Sequence, residues 1–232
     1  MVDLTAEMAG LWTALGPGPA YRGRVIQFAA ATGGEGVSTV AREFARLAAV
    51  RARRPVWLID GDLAQQSQQD VIESQPERFG RLGQPASASP DGSSFLVVTP
   101  SLKNRDGRPV SPAQLLTARP CLGGRLWITR FRMESLRSGQ RAEAVDSSRY
   151  WDAMRRHAEV VIVDSPAADR GDMALTLAPL VDATVLVVAE TSDTTGPVVL
   201  REEIEAAGGR IAGMVMNRSR YKTPGFLRRW AG

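Results

Sequence analysis

The segment from residue 24 to residue 54 constrains the fold of this 232-residue chain more than any other part. It begins with the apolar run RVIQFAA, passes through the turn TGGEGVS, and continues as STVAREFARLAAVRARR, whose apolar residues recur at helical spacing. The glycines let successive backbone N–H groups point inward, and the helix that follows adds the positive end of its dipole. This order of strand, glycine turn and helix predicts a seat for phosphate groups.

The rest of the chain continues the alternation of strands and helices. Further strands are predicted at residues 56–60, 95–99, 126–131, 160–164, 183–189 and 211–217. The alternation favours an α/β fold of the P-loop NTPase type, a doubly wound, mostly parallel sheet of about seven strands with helices on both faces. We expect an amphipathic helix and linker over residues 1–20, the main domain over residues 21–218, and a basic-aromatic tail over residues 219–232.

Charge and hydropathy exclude several classes of function. The net charge is +4, but five basic residues and no acidic one lie between Arg218 and the C-terminus, so the body is nearly neutral. A nearly neutral body argues against a nucleic-acid-binding face. No apolar run has the length of a membrane span, no secretory signal is visible, and Cys121 is the single cysteine. We therefore expect a cytoplasmic protein.

Acidic residues end two of the predicted strands. Asp60 and Asp62 follow the strand at residues 56–60, and Asp164 closes the strand at residues 160–164. Because the carboxyl ends of parallel strands meet at one edge of the sheet, these acids are expected beside the glycine loop, as the catalytic residues of a phosphoryl-transfer site. Ser38, Asp62 and Asp164 are the predicted magnesium ligands.

The predicted phosphate loop lacks its cation. Val37 stands where the motif calls for lysine, and the nucleotide-binding residues predicted here are Gly33, Gly34, Glu35, Gly36, Val37, Ser38 and Thr39. A charge pair at about 4 Å in an effective dielectric near 20 is worth about 4 kcal/mol. The backbone donors remain without the lysine, whereas neutralisation of the phosphate charge during transfer is weakened. We therefore expect catalysis to fail before binding does. Arg42, Arg170 or a partner's arginine is an alternative source of positive charge.

Five segments carry a resemblance to a known family. GGEGVSTVA, VWLIDGDL, VVIVDSPA, DMALTLAPLVDATVLVV and IAGMVMNR resemble the cytoplasmic bacterial tyrosine kinases and their polysaccharide co-polymerase relatives, within the MinD and ParA superfamily. The resemblance spans about residues 24–218 and implies ATP or ADP with Mg²⁺ as cofactors, loop contacts to phosphate and adenine recognition near Asn217. Thr32 stands where the ParA-like branch has its signature lysine, which favours the kinase branch.

The chain departs from the family pattern at four places. Val37 replaces the loop lysine, and Ala64 replaces an arginine that follows the acidic segment in the kinases. Gly10 stands in place of the arginine of an N-terminal oligomerisation motif, of which only Glu7 remains. The tail contains one tyrosine, Tyr221, where the kinases carry a cluster.

These departures indicate a kinase-like regulator of exopolysaccharide synthesis or export, for instance in a holdfast polysaccharide system. In this interpretation the chain is a pseudokinase scaffold whose ATP and Mg²⁺ binding is weakened or lost. The expected partner is a membrane-embedded co-polymerase or export component, which would hold the chain at the inner face of the membrane. A homo-oligomer is left open. The alternatives are an active tyrosine autokinase or ATPase that uses a substitute arginine and, less favoured, a ParA-like or MinD-like positioning ATPase.

Overall fold

A central eight-stranded sheet organises the part of the chain that the computed structural model describes, which is residues 4–104, 106–190, 192 and 194–218. Its strands are β1 Arg24–Ala29, β2 Val56–Asp60, β3 Ala86–Ser87, β5 Leu116–Cys121, β6 Leu126–Phe131, β8 Val160–Asp164, β9 Ala183–Ala189 and β10 Ile211–Asn217. A separate two-stranded sheet joins β4 Leu96–Thr99 to β7 Arg141–Ala144. The helices are α1 Thr5–Ala14, α2 Val37–Arg51, α3 Gln68–Glu73, α4 Pro76–Phe79, α5 Ser148–His157, α6 Met173–Leu177 and α7 Thr195–Ala206.

The strand order explains why the glycine loop and the acids converge. The order is β10-β9-β1-β8-β2-β6-β5-β3, and the six strands from β10 to β6 pair in parallel. The strand β8 lies between β1 and β2, so three consecutive carboxyl ends face the same crevice. The predicted α/β fold with a mostly parallel sheet is confirmed.

Apolar side chains cover both faces of this sheet. Along β1, Ile26 and Phe28 join the core under α1 and α2, whereas Val25 belongs to the core under α5. The alternation follows from the two-residue period of a strand. The predicted N-terminal helix docks on α2, where Trp12 lies 6.0 Å from Phe44 between ring centroids. Helices therefore shield the strands that carry the site.

The second half of the sheet departs from the predicted pattern. Residues 95–99 supply a strand to the small sheet, and the segment SPAQLL forms only a 3₁₀ turn over Pro112–Leu115. The strand β5 was not predicted, because it contains Pro120, which cannot donate to a ladder. The structure accommodates this proline beyond Thr117 and Ala118, the two residues that pair with β3.

The basic-aromatic tail at residues 219–232, including Tyr221, lies outside the described residues. Within the described ranges, no helix combines the length and the apolar character that a bilayer crossing requires.

Candidate functional site

The glycine loop lies between the carboxyl end of β1 and the first residue of α2. Gly34 and Gly36 have φ values of +87° and +94°, a backbone region that side chains disfavour. A Cβ at Gly36 would also lie 2.1 Å from the Nδ2 atom of Asn217. Glycine is therefore required at residue 36 by conformation and by space.

Three side chains stabilise the conformation of the loop through hydrogen bonds with its backbone. The carboxylate of Glu35 is buried and accepts the backbone N–H groups of Thr32 at 3.1 Å and Ala189 at 3.2 Å. The Nδ2 atom of Asn217 donates to the carbonyl of Glu35 at 2.8 Å, and Asp169 accepts the N–H of Gly33 at 2.9 Å. The structure thus places Glu35 and Asn217 as braces of the loop, and an adenine contact by Asn217 stays a prediction.

The front of the loop presents backbone donors. A cavity of about 150 Å³ opens there, with Ser38, Thr39 and the loop backbone in its wall. Backbone N–H groups without an acceptor among the described residues belong to Gly34, Glu35, Gly36, Val37 and Ser38. N–H groups without an acceptor at the start of a 15-residue helix are suited to bind an anion.

Val37 is part of the hydrophobic core as well as of the cavity wall. Its side chain is 7% exposed and belongs to the apolar cluster beneath α2. It offers van der Waals contact to a ligand but no charge, which agrees with the interpretation that the loop lost its electrostatic partner for phosphate.

Asp60 and Asp164 form a buried acidic pair. They are register partners at the ends of β2 and β8. Burial, together with the neighbouring charge of Asp164, raises the pKa of Asp60 to about 8. Burial likewise raises the pKa of Asp164 to about 6. Near neutral pH these pKa values favour a protonated Asp60 beside an ionised Asp164, so the pair carries a single negative charge.

Gln68 ties this pair to the loop. Its Nε2 atom donates to Asp164 at 2.7 Å and to the carbonyl of Ser38 at 2.9 Å, while its backbone N–H donates to Asp60 at 2.9 Å. The hydroxyl of Ser38 donates to the other oxygen of Asp164 at 3.2 Å. Gln68 was not among the predicted site residues, because its position depends on the path of the chain between β2 and α3.

Asp62 faces Arg170. The Nη1 atom of Arg170 lies 2.9 Å from the Oδ2 atom of Asp62, and Arg170 also lines the loop cavity. Arg42, the other arginine considered from the sequence, is buried and donates instead to Ser38 and Gln68. Of these two candidates, only Arg170 borders the place that phosphate would occupy.

The predicted metal ligands are brought to one place. The hydroxyl of Ser38 donates a hydrogen bond to Asp164. Asp62 is near enough for its charge to raise the pKa of Asp164. Within the described ranges, no group of three or more His, Cys, Asp or Glu side chains is arranged to hold a metal ion. A hydroxyl beside a carboxylate nevertheless suits Mg²⁺, which retains waters and takes few protein ligands together with phosphate oxygens.

Cys121 and His157 lie away from this chemistry. Burial raises the pKa of Cys121 to about 12, so its thiol is a poor nucleophile. His157 is the last residue of α5. Neither residue lines the loop cavity.

Comparisons with known proteins identify the fold. No protein-family model matches the chain. No curated protein matches it in sequence. The chimerical protein CapA2B2 superposes with a TM-score of 0.62 at 17% identity, over 95% of this chain and 87% of that one.

Two kinase domains give the same result. The kinase domain of the Escherichia coli tyrosine kinase ETK has a TM-score of 0.54 at 14% identity, over 95% of this chain and 75% of that one. The BceF tyrosine kinase domain has a TM-score of 0.50 at 17% identity, over 83% of this chain and 68% of that one. The chain therefore has the fold of the bacterial tyrosine kinase domains.

Proposed function

We propose that this protein is a kinase-like regulator that binds a nucleotide through its glycine loop and transfers phosphate poorly or not at all. The observation that carries the proposal is a preformed row of backbone donors with a buried valine, Val37, in place of the cation. The row of donors supports binding, and the valine weakens the step that needs charge.

Binding is supported by the geometry of the loop before any ligand arrives. Glu35, Asn217 and Asp169 hold the backbone, so the N–H groups do not need to reorganise when phosphate enters. Preorganised donors lower the entropic cost of binding.

Poor phosphate transfer is supported by the contacts of the acidic residues, which are already bonded to other protein groups. Both oxygens of Asp164 accept protein hydrogen bonds, and Asp62 is paired with Arg170. Phosphoryl transfer depends on positioning and on neutralisation of the developing charge. With lysine absent, about 4 kcal/mol of that neutralisation is missing.

Mg²⁺ fits the same site. Ser38 and Asp164 would hold it, with Asp62 available when Arg170 moves away. When bound, Mg²⁺ supplies charge neutralisation to the phosphates. The protein itself positions the oxygens, through the hydrogen bonds of Gln68 to Asp164 and to the backbone of Ser38.

We place this activity in exopolysaccharide synthesis or export, with holdfast polysaccharide as the specific candidate. The sequence resemblance supports this setting, and so does the shared fold with tyrosine kinase domains. The proposed role is that of a scaffold in the cytoplasm, held at the inner face of the membrane by a membrane-embedded co-polymerase or export partner.

An active autokinase or ATPase is the second candidate. The position of Arg170 favours it, because this arginine borders the loop cavity and its partner Asp62 lies at the site. If Arg170 moved from Asp62 to phosphate, it would supply the missing charge. This candidate predicts turnover that requires Arg170.

Titration with a fluorescent ATP analogue tests the binding site. Gly36→Ala places a methyl group against Asn217 at a residue with positive φ, so we expect it to weaken binding at least about tenfold. Gly139→Ala is the matched control, since its φ is +81° and nothing lies within 4 Å of the added Cβ. Equal affinity in both variants would contradict the proposed site.

A further inference from the structure

A large cavity lies at the opposite edge of the sheet from the glycine loop. Its wall includes the first residues of β1 and β8, Arg24 and Val160, and the last residue of α2, Arg51. Its volume is about 790 Å³, against about 150 Å³ for the loop cavity. The cavity is therefore large enough for a small organic ligand.

Arginine dominates the charge of this cavity. One acidic residue, Glu159, lines it. The Oε2 atom of Glu159 already accepts the backbone N–H groups of Arg53 at 2.7 Å and Arg54 at 2.9 Å. We call this cavity the basic cavity. The arginines in its wall are Arg22, Arg24, Arg51, Arg53 and Arg54.

Three of these arginines have structural partners. Arg22 pairs with Asp182 at 2.8 Å, and Arg54 donates to the last carbonyl groups of α5 and to Ala158. Arg24 is buried, donates to the carbonyl of Gly16 at 2.7 Å and stacks on Trp12. The Nε atom of Arg24 is nevertheless buried without an acceptor among the described residues. Because this atom is shielded from the cavity, Arg24 contributes positive charge to the wall and no free donor.

The side chains of Arg51 and Arg53 are exposed and make no hydrogen bond or ion pair with the described residues. Capping of α2 does not explain them, because Arg125 already donates to the carbonyls of Ala49, Val50 and Ala52. The helix dipole contributes only about half a negative charge, which is less than two guanidinium groups carry. Positive charge is left over at the mouth of the cavity.

We infer that the basic cavity binds a small anion with two or more phosphoryl groups, at a site separate from the glycine loop. Guanidinium groups match phosphate oxygens in a bidentate manner, and Arg51 and Arg53 provide two that are uncommitted. Tyr21 is 86% exposed in the same wall and offers a ring face to a base or sugar. The phosphoryl groups belong either to a soluble oligophosphate or to a lipid headgroup.

Calorimetric titration of the full chain with inorganic tripolyphosphate tests this site. We expect salt-sensitive binding that Arg51→Ala/Arg53→Ala weakens roughly 100-fold, because two charge-assisted contacts are lost. Arg81→Ala/Arg108→Ala is the control for net charge, since both side chains are exposed and neither lines the cavity. It should bind as the unmodified protein does.

Two further arms identify the site and the source of the phosphate. Thr39→Asp places a carboxylate in the wall of the loop cavity, so binding that survives this change belongs to the basic cavity. Vesicles of phosphatidylcholine with and without cardiolipin distinguish a lipid headgroup from a soluble anion. Loss of tripolyphosphate binding in Thr39→Asp, equal binding by the arginine double variant, or no binding to either probe would overturn the inference.

Discussion

Restoring the missing cation is the most informative perturbation of the loop. In Val37→Lys, an ammonium group would stand at the start of α2, beside the free backbone donors. A charge about 4 Å from a phosphate oxygen gives about 4 kcal/mol at an effective dielectric of 20. The loop cavity is open to solvent and Arg170 already borders it, so we halve this figure to about 2 kcal/mol, or roughly 30-fold in affinity.

The same change has a cost in stability. Val37 is 7% exposed and packs into the apolar cluster beneath α2. Its replacement by a side chain that extends toward solvent should cost about 1 kcal/mol of the free energy of unfolding. Val37→Lys is therefore expected to bind nucleotide more tightly while melting at a lower temperature.

Titration with a fluorescent ATP analogue, with and without Mg²⁺, measures the affinity, and thermal unfolding measures the stability. Val37→Met is the matched control, because methionine has an unbranched side chain without charge. Equal nucleotide affinity in the lysine and methionine variants would refute the argument that charge is what the loop lacks.

Two further predictions concern arginine partners. Arg170→Ala should weaken nucleotide binding about tenfold by removing a cation from the cavity wall, whereas Arg170→Lys should retain it, as titration would measure. Burial alone would raise the pKa of Asp182, but the N–H of Val25 and the guanidinium groups of Arg155 and Arg22 lower it below its usual value. Asp182→Asn should therefore cost roughly 1–2 kcal/mol at neutral pH. This difference should shrink as the pH falls through the folded pKa, because the stabilisation exists only above it; a constant loss from neutral to acidic pH would contradict this account.

The parts of the site that follow from local pattern were predictable from the sequence. The glycine loop, Asp60 and Asp164 end buried parallel strands, so their positions follow from the order of the elements. The positions of Gln68 and Asp169 depend on the course of the loops that follow β2 and β8. No periodic pattern in the sequence specifies the course of a loop. The brace formed by Asn217 was likewise not predicted, because it depends on how β10 is placed beside the loop.

The basic cavity illustrates the same limit on a larger scale. In the sequence, the arginines between Arg51 and Arg54 simply follow a helical segment, where they match the negative end of its dipole. Arg22 and Arg24 precede the loop by about one strand, and they meet that run because α2 returns antiparallel to β1. The sequence shows which residues are charged, but which of them line the same cavity depends on the fold.

The proposed function is nucleotide binding without effective phosphoryl transfer. Its test is to measure, with Mg²⁺ and saturating radiolabelled ATP, the release of the γ-phosphate and its incorporation into protein. We expect saturable binding together with turnover no faster than that of Asp164→Asn. Sustained hydrolysis or autophosphorylation that Asp164→Asn abolishes would show instead that the protein is an active enzyme.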